Sequence, residues 1–160
     1  MEIVPLAKKD FSTLWPLMQP IIRAGETYAL PRDMRFAAAR AYWFSPTGHV
    51  FAALDGETVL GTYYWKPNRL GGGGHVANAG FMVSAQARGR GVAQALCQHA
   101  LDQARQAGFT AMQFNFVVST NSAAVHVWKK VGFAEIGRIP GGFAHPTLGF
   151  VDALILHRTL

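Results

Sequence analysis

The sequence predicts a single domain of the α/β class, in which a mixed β-sheet is flanked by helices. The chain has 160 residues, enough for one core and too few for two, so we expect one domain over 1–160. Half of the residues are hydrophobic and 15% are charged, which is typical of a folded chain. Segments with strand-like alternation and segments with helical spacing follow one another in the order β-α-α-β-β-β-α-β-α-β-β.

The first half of the chain predicts one strand, two helices and a β-hairpin. Apolar residues recur at helical spacing after Asp10, and Pro16 and Pro20 within that stretch should kink the helix, because proline removes a backbone donor. The pair Asp55-Gly56 indicates the turn of the hairpin. The expected elements are a strand at 2–5, a helix that includes 11–22, a loop at 25–31, a helix at 33–43, a turn at 45–48 and strands at 50–54 and 58–65.

The second half alternates strands with helices. After a run of four glycines, the expected elements are a strand at 75–84, a helix at 91–107, a strand at 109–118, a helix at 121–131 and strands near 133–139 and 149–157. Gly108 and Gly132 should end the two helices. One strand separates apolar residues from amides on its two faces, with Met112, Phe114, Phe116 and Val118 opposite Gln113 and Asn115.

The basic residues favour a phosphorylated ligand over nucleic acid. The formal net charge is +6, but no basic run exceeds a pair, so most of these side chains are expected to form a solvated surface and no nucleic acid is expected as a partner. No acidic residue occurs between Glu57 and Asp102. That segment contains Lys66, Arg69, Arg88 and Arg90, as expected for a region that faces a polyanionic cofactor.

Cysteine usage and hydropathy indicate a cytoplasmic protein. Cys97 is the only cysteine, which fits a reducing compartment. No apolar run approaches the roughly 20 residues that a membrane span requires. The first residues show no secretory signal, so we expect the cytoplasm and no membrane partner.

A glycine-rich turn at 86–93 is expected between a strand and a helix. Its glycines let the backbone approach a ligand, and the first N–H groups of the following helix point outward with the positive end of the helix dipole. Such a turn binds phosphate oxygens. The pattern is neither a Walker loop nor a dinucleotide-binding fingerprint, since it lacks Gly-Lys-Ser/Thr and does not follow the first strand.

This turn resembles the acetyl-CoA signature R/Q-x-x-G-x-G/A of the GNAT (Gcn5-related) N-acetyltransferases. Residues 88–93 match it, and 86–91 match it in an overlapping frame. Residues 121–133 are similar to a second family landmark, N-x-x-A-x-x-L-Y-x-x-x-G-F. The resemblance implies a mixed, mostly antiparallel sheet of six to seven strands, splayed between strands 4 and 5 and flanked by about four helices.

The same resemblance implies acetyl-CoA as the co-substrate. Its pyrophosphate would bind the backbone N–H groups of Arg88, Gly89, Arg90, Gly91, Val92 and Ala93. Its pantetheine arm would pair with Phe81, Met82 and Val83 as an added strand and would bond to Asn121. Trp128 stands where the family often has a tyrosine that protonates the departing thiolate. Indole cannot act as that acid, so no general acid is assigned, with Tyr63 and Tyr64 as remote alternatives.

Two asparagines are the main catalytic candidates. Asn78 and Asn115 lie on the two strands that should splay around the thioester, where an amide can donate to an oxyanion and accept from an amine. The alternative is that both satisfy buried backbone. The local sequence resembles the yeast-type proline-analogue acetyltransferases, which acetylate azetidine-2-carboxylate and use three asparagines, here Asn78, Asn115 and Asn121. Glu26, in a loop that would cover the acceptor pocket, is a candidate base.

The resemblance therefore implies an enzyme that acetylates the amine of a small molecule, either an amino acid or a cyclic analogue, by direct attack on the thioester. A peptide or protein amine is the alternative acceptor, and a non-catalytic acyl-CoA-binding regulatory module is the alternative function. No metal is expected, because His126, His145 and His157 lack ligand spacing with any cysteine or carboxylate. A homodimer is an expectation by resemblance.

Overall fold

The computed structural model describes all 160 residues, which form seven strands and four α-helices. In chain order they are β1 (Glu2–Pro5), α1 (Phe11–Ala24), α2 (Phe36–Trp43), β2 (His49–Asp55), β3 (Thr58–Pro67), β4 (Val76–Val83), α3 (Val92–Gln106), β5 (Ala111–Val118), α4 (Ser122–Lys130), β6 (Ala134–His145) and β7 (Gly149–Thr159). The predicted α/β class and order of elements are confirmed. No helix is both long and apolar enough to cross a membrane.

The strands form one sheet in the order β1-β2-β3-β4-β5-β7-β6. Every neighbouring pair is antiparallel except β4 and β5. These two strands pair only from Val76 to Asn78, opposite Ala111 to Gln113, and then separate. The predicted splay between the fourth and fifth strands is confirmed, and it leaves a gap through the sheet.

Two hydrophobic cores cover the two faces of the sheet. The α3–α4 core includes Leu96, Phe114 and Trp128, whereas the α1–α2 core includes Trp43 and Met82. Side chains alternate between the faces along each strand, so in β4 Phe81 packs against the α3–α4 core and Met82 lies in the α1–α2 core. The gap between β4 and β5 therefore connects the α1–α2 side with the α3–α4 side.

Several element boundaries differ from those predicted. Helix α2 begins at Phe36 instead of 33, because the carbonyls of Arg32 and Met34 accept from the Arg23 guanidinium and Arg35 is extended. Helix α1 runs through both of its prolines, which lie on its exposed face. Strand β6 continues to His145, past a Pro-Gly-Gly irregularity that an edge strand tolerates.

A bulge in β5 changes the predicted faces of that strand. Phe114 pairs with Leu156 but Val117 pairs with Leu154, so β5 carries one extra residue there. Val117 therefore packs against the same core as Phe114, and Phe116 is 37% exposed. The predicted alternation is correct as far as Asn115 and wrong beyond it.

Candidate active site

A cavity of about 360 Å³ fills the gap between β4 and β5. Its walls are residues 78–81 of β4 and 114–118 of β5, together with Asn121, Ala124 and Trp128 on the α3–α4 side. On the α1–α2 side the cavity is lined by the loop residues Thr27, Tyr28 and Ala29 and by Tyr42, Tyr64, Lys66, Asn68 and Arg69. One opening through the sheet thus offers separate approaches to two ligands.

The glycine-rich turn presents free backbone donors at the N-terminus of α3. Gly89 and Gly91 have φ of +75° and +76°, a conformation that favours glycine. No side chain caps the helix, and the N–H groups of Gly89, Gly91, Val92, Ala93 and Gln94 have no protein acceptor. Free N–H groups at the positive end of a helix dipole bind anions. This geometry fits the pyrophosphate site implied by the sequence.

Three details of that turn differ from the expectation. The N–H groups of Arg88 and Arg90 bond within the turn, to the carbonyls of Ala85 at 3.4 Å and Ala87 at 3.3 Å. The Arg90 guanidinium pairs at 3.1 Å with Asp55, in an exposed contact that contributes little to stability. Gln94, which no motif indicated, adds a donor because every first-turn residue of a helix has an unpaired N–H.

Along the edge of β4 that faces the gap, the backbone groups of every second residue point away from β3. Asn68 donates to the carbonyl of Val76, and Ser84 donates to the carbonyl of Leu60. Since an antiparallel ladder bonds every second residue, Met82 bonds to β3, while the backbone groups of Phe81 and Val83 point into the gap. Met82 was predicted to contact the pantetheine arm, but its backbone is used by β3 and its side chain is buried in the α1–α2 core.

Amide groups form a hydrogen-bonded network across the gap. Asn78 Nδ2 donates to the main-chain carbonyl of Gln113 at 2.9 Å, and the Gln113 side chain donates through Nε2 to Asn115 Oδ1 at 3.0 Å. Asn115 Nδ2 donates in turn to Asn68 Oδ1 at 2.7 Å. The structure thus brings the two predicted asparagines together and adds Asn68. It leaves an acceptor, Asn78 Oδ1, and a donor, Asn68 Nδ2, without protein partners.

Asn121 and Trp128 lie at the α3–α4 end of the cavity. Asn121 caps α4, with its Oδ1 accepting from the N–H of Ala124 at 3.4 Å, so its Nδ2 remains available to a ligand. Trp128 is 6% exposed and packs between Phe81 and Phe114, at ring-centre distances of 4.8 and 5.3 Å. The indole therefore forms an aromatic wall that spans the gap.

The cavity is lined by tyrosines that keep their phenolic protons. Tyr28 donates to the carbonyl of Phe81 at 2.8 Å. Burial raises the pKa of Tyr28 well above its usual value, with Tyr64 and Tyr42 adding to the rise. Burial likewise raises the pKa of Tyr64, so both phenols keep their protons at physiological pH. Tyr63 lies in the α3–α4 core and bonds to His99 Nδ1 at 2.7 Å, outside the cavity.

No carboxylate, histidine or cysteine lines the cavity. The candidate base Glu26 is exposed and does not line it, although the next three residues of its loop do. No group of three or more histidine, cysteine or acidic side chains is arranged to hold a metal ion. The chemistry available in the cavity is therefore that of amides, phenols, backbone groups and two cations.

Gly80 is required for the placement of Tyr64. A Cβ at Gly80 would lie 2.6 Å from Tyr64 Cε1, and the ring cannot retreat because it packs edge-on against Trp43 at 4.9 Å. We expect Gly80→Ala to destabilise the fold by about 1–3 kcal/mol, measured by denaturant unfolding. Gly72→Ala is the control, since a Cβ there meets nothing within 4 Å. Equal stability of the two variants would show that the ring is free to move.

Comparison with known proteins gives consistent matches. The model of the Acetyltransferase (GNAT) family matches residues 14–133. N-acetyltransferase aca1 of Schizosaccharomyces pombe is 29% identical over 161 residues, covering 90% of this chain and 77% of the relative. A GCN5-related N-acetyltransferase from Kribbella flavida has a TM-score of 0.93 and 44% identity, with 99% of this chain and 97% of that chain covered. The structure of yncA from Salmonella typhimurium with its cofactor acetyl-CoA has a TM-score of 0.86 and 18% identity, covering 100% and 94% of the two chains, a likeness in fold alone.

Proposed function

Because this chain belongs to the acetyltransferase (GNAT) family and is an acyltransferase, we propose that it transfers the acetyl group of acetyl-CoA to the amine of a small molecule, an amino acid or a cyclic amino-acid analogue. The observation that carries the proposal is the gap between β4 and β5, since the free edge of β4 leads into the donors of the α3 N-terminus. The similarity to the fission-yeast N-acetyltransferase supports the yeast-type branch.

The residues present fit acetyl-CoA as the co-substrate, and the yncA complex supports this assignment. Acetyl-CoA would supply an acyl carbon activated by its thioester. The free N–H groups of residues 89 and 91–94 would bind its phosphates. The Phe81 carbonyl already accepts from Tyr28, so the N–H of Phe81 and the backbone of Val83 would take the pantetheine arm as an added strand, and one of these N–H groups would donate to the acyl oxygen. Asn121 Nδ2 would bond to the same arm.

The acceptor amine would attack directly, because the cavity presents no thiol to carry the acyl group and no base to activate the Thr27 hydroxyl as a nucleophile. Burial raises the pKa of the Cys97 thiol to about 12, and Cys97 lies in the α3–α4 core away from the cavity. Asn78 Oδ1 is free to accept from the amine N–H and would orient its lone pair. The new C–N bond would replace the C–S bond of the thioester, and coenzyme A would leave as its thiolate. Since no carboxylate or histidine lines the cavity, the amine proton would leave to water and the thiolate would take a proton from water.

The test is thiol release from acetyl-CoA in the presence of cyclic and linear amino acids, with azetidine-2-carboxylate and proline included. We expect release that depends on one class of amino acid and that rises with pH as the amine loses its proton. A peptide N-terminus as the only acceptor would contradict the small-molecule assignment. Tight acetyl-CoA binding without turnover of any amine would instead favour a regulatory module.

We also propose a cytoplasmic homodimer, in accordance with the single buried cysteine and with the outermost position of β6. The β6–β7 hairpin carries exposed apolar side chains, among them Leu148 at 60% and Phe150 at 82%. Such residues favour a protein contact. The molar mass in solution, measured by light scattering, tests this assembly, and a monomer at all concentrations would contradict it.

A further inference from the structure

Lys66 and Arg69 are the only charged residues that line the cavity, and neither forms a salt bridge within the protein. Both lie on the α1–α2 side, where the acceptor would enter. Arg69 is exposed, and its guanidinium donates to the carbonyl of Asn68 at 3.0 Å. Lys66 is half-buried and is therefore the cation closer to the interior.

The position of Lys66 is set by its neighbours in the sheet. It stands directly opposite Asn78 in the antiparallel β3–β4 pair, so the two side chains share a face with Cβ atoms about 5 Å apart. Its Nζ lies over the Tyr64 ring, 5.5 Å from the ring centre. Tyr64 is itself buried against Trp43. An aromatic ring, and not a counter-ion, thus holds the ammonium beside the cavity.

A half-buried ammonium without a carboxylate partner can be neutralised by an anionic ligand. Asn68 Nδ2 provides a second free donor on the same side, because its Oδ1 already accepts from Asn115. One positive charge and one amide donor suit a carboxylate, while Asn78 Oδ1 is free to accept from the amine. These groups match the two ends of an α-amino or α-imino acid.

We propose that Lys66 binds the carboxylate of the acceptor, with Asn68 as a second donor, and that this contact selects amino acids over amines without a carboxylate. The inference rests on the proposed function, since it names the residues that recognise the acceptor of that reaction. An acceptor with a second positive charge is repelled by Lys66 and Arg69, so polyamines are poor substrates.

The test compares azetidine-2-carboxylate with azetidine, the same ring without the carboxylate, in assays of thiol release. The wild-type enzyme should favour the carboxylate-bearing ring in kcat/KM. Lys66→Gln should lower that preference by about 10- to 100-fold, mainly through KM for the carboxylate-bearing ring, and Lys66→Arg should retain most of it. Lys129→Gln, on the exposed side of α4, is the charge-matched control and should behave as wild type.

Acetyl-CoA affinity, measured by calorimetry, separates the possible failures. Suppose that Lys66→Gln binds acetyl-CoA normally. If it keeps the wild-type preference, or if its kcat/KM falls equally for both rings, the carboxylate assignment is wrong and the proposed function stands. A wild-type enzyme that acetylates azetidine as well as its carboxylate would overturn it in the same way. Binding of acetyl-CoA with no release for any amino acid would overturn the proposed function, and the assignment with it.

Discussion

Gly91→Glu is expected to abolish acetyl-CoA binding. Gly91 adopts φ of +76° immediately before α3, and a Cβ there would meet no protein atom within 4 Å, so a side chain would enter the open space in which we propose that the phosphates bind. A carboxylate about 4 Å from a phosphate charge would cost about 4 kcal/mol at an effective dielectric constant of about 20, which is roughly a thousandfold in affinity. Isothermal titration calorimetry with acetyl-CoA measures this loss.

The control for this variant is Gly108→Glu at the other end of α3. Gly108 also has a positive φ, +86°, and a Cβ there meets nothing within 4 Å. Both variants should therefore share the backbone strain of about 1–2 kcal/mol that a left-handed residue with a side chain incurs. Only Gly91→Glu should lose affinity. Unchanged affinity in Gly91→Glu would remove the glycine-rich turn from the cofactor site.

Asn115→Ala is expected to lower kcat/KM by about 10- to 1,000-fold while acetyl-CoA affinity is retained. Asn115 accepts from Gln113 and donates to Asn68, so its removal frees both amides to turn away from the acceptor. Steady-state kinetics of thiol release with saturating acetyl-CoA measures the effect. Asn115→Asp keeps the acceptor and the shape but loses the donor to Asn68, and it should also be impaired.

Thr110→Ala tests whether any polar change near β5 has the same result. Thr110 is exposed, lies outside the cavity and donates only weakly to the carbonyl of His75, at 3.4 Å. Its kcat/KM should equal that of the wild type. If Asn115→Ala also retains the wild-type kcat/KM and loses only stability, the amide network serves the fold and not the reaction.

The features that the sequence predicted correctly depend on local patterns. Periodicity and turn residues predicted every strand and helix, and glycines at 89 and 91 predicted the turn before α3. The splay between β4 and β5 came from the family resemblance, because no local pattern specifies where two parallel strands separate.

The features that were missed depend on register and on contacts distant in sequence. Asn68 follows β3 and accepts a hydrogen bond from Asn115, which lies 47 positions later in the chain. Nothing in the sequence around Asn68 indicates this contact. Which N–H groups of β4 face the gap depends on the pairing with β3, and this pairing takes up the backbone of Met82, which the sequence alone did not indicate. Glu26 was proposed because its loop was expected to cover the acceptor pocket. The path of a loop decides which of its side chains turn inward, and in this loop Tyr28 lines the cavity and Glu26 does not.

The proposed acetyl-CoA site consists chiefly of main-chain groups, whereas the proposed acceptor site consists of side chains. Acetyl-CoA would be held chiefly by main-chain groups of β4 and α3, which every residue except proline supplies, so many substitutions at Val92, Ala93 or Gln94 would leave those donors in place. The acceptor would be held by side chains such as Lys66, Asn68 and Asn78. If the acceptor is held in this way, we expect one substitution on the α1–α2 side to redirect the enzyme to a new amine without rebuilding its acetyl-CoA site, which would make the acceptor side the natural target for engineering.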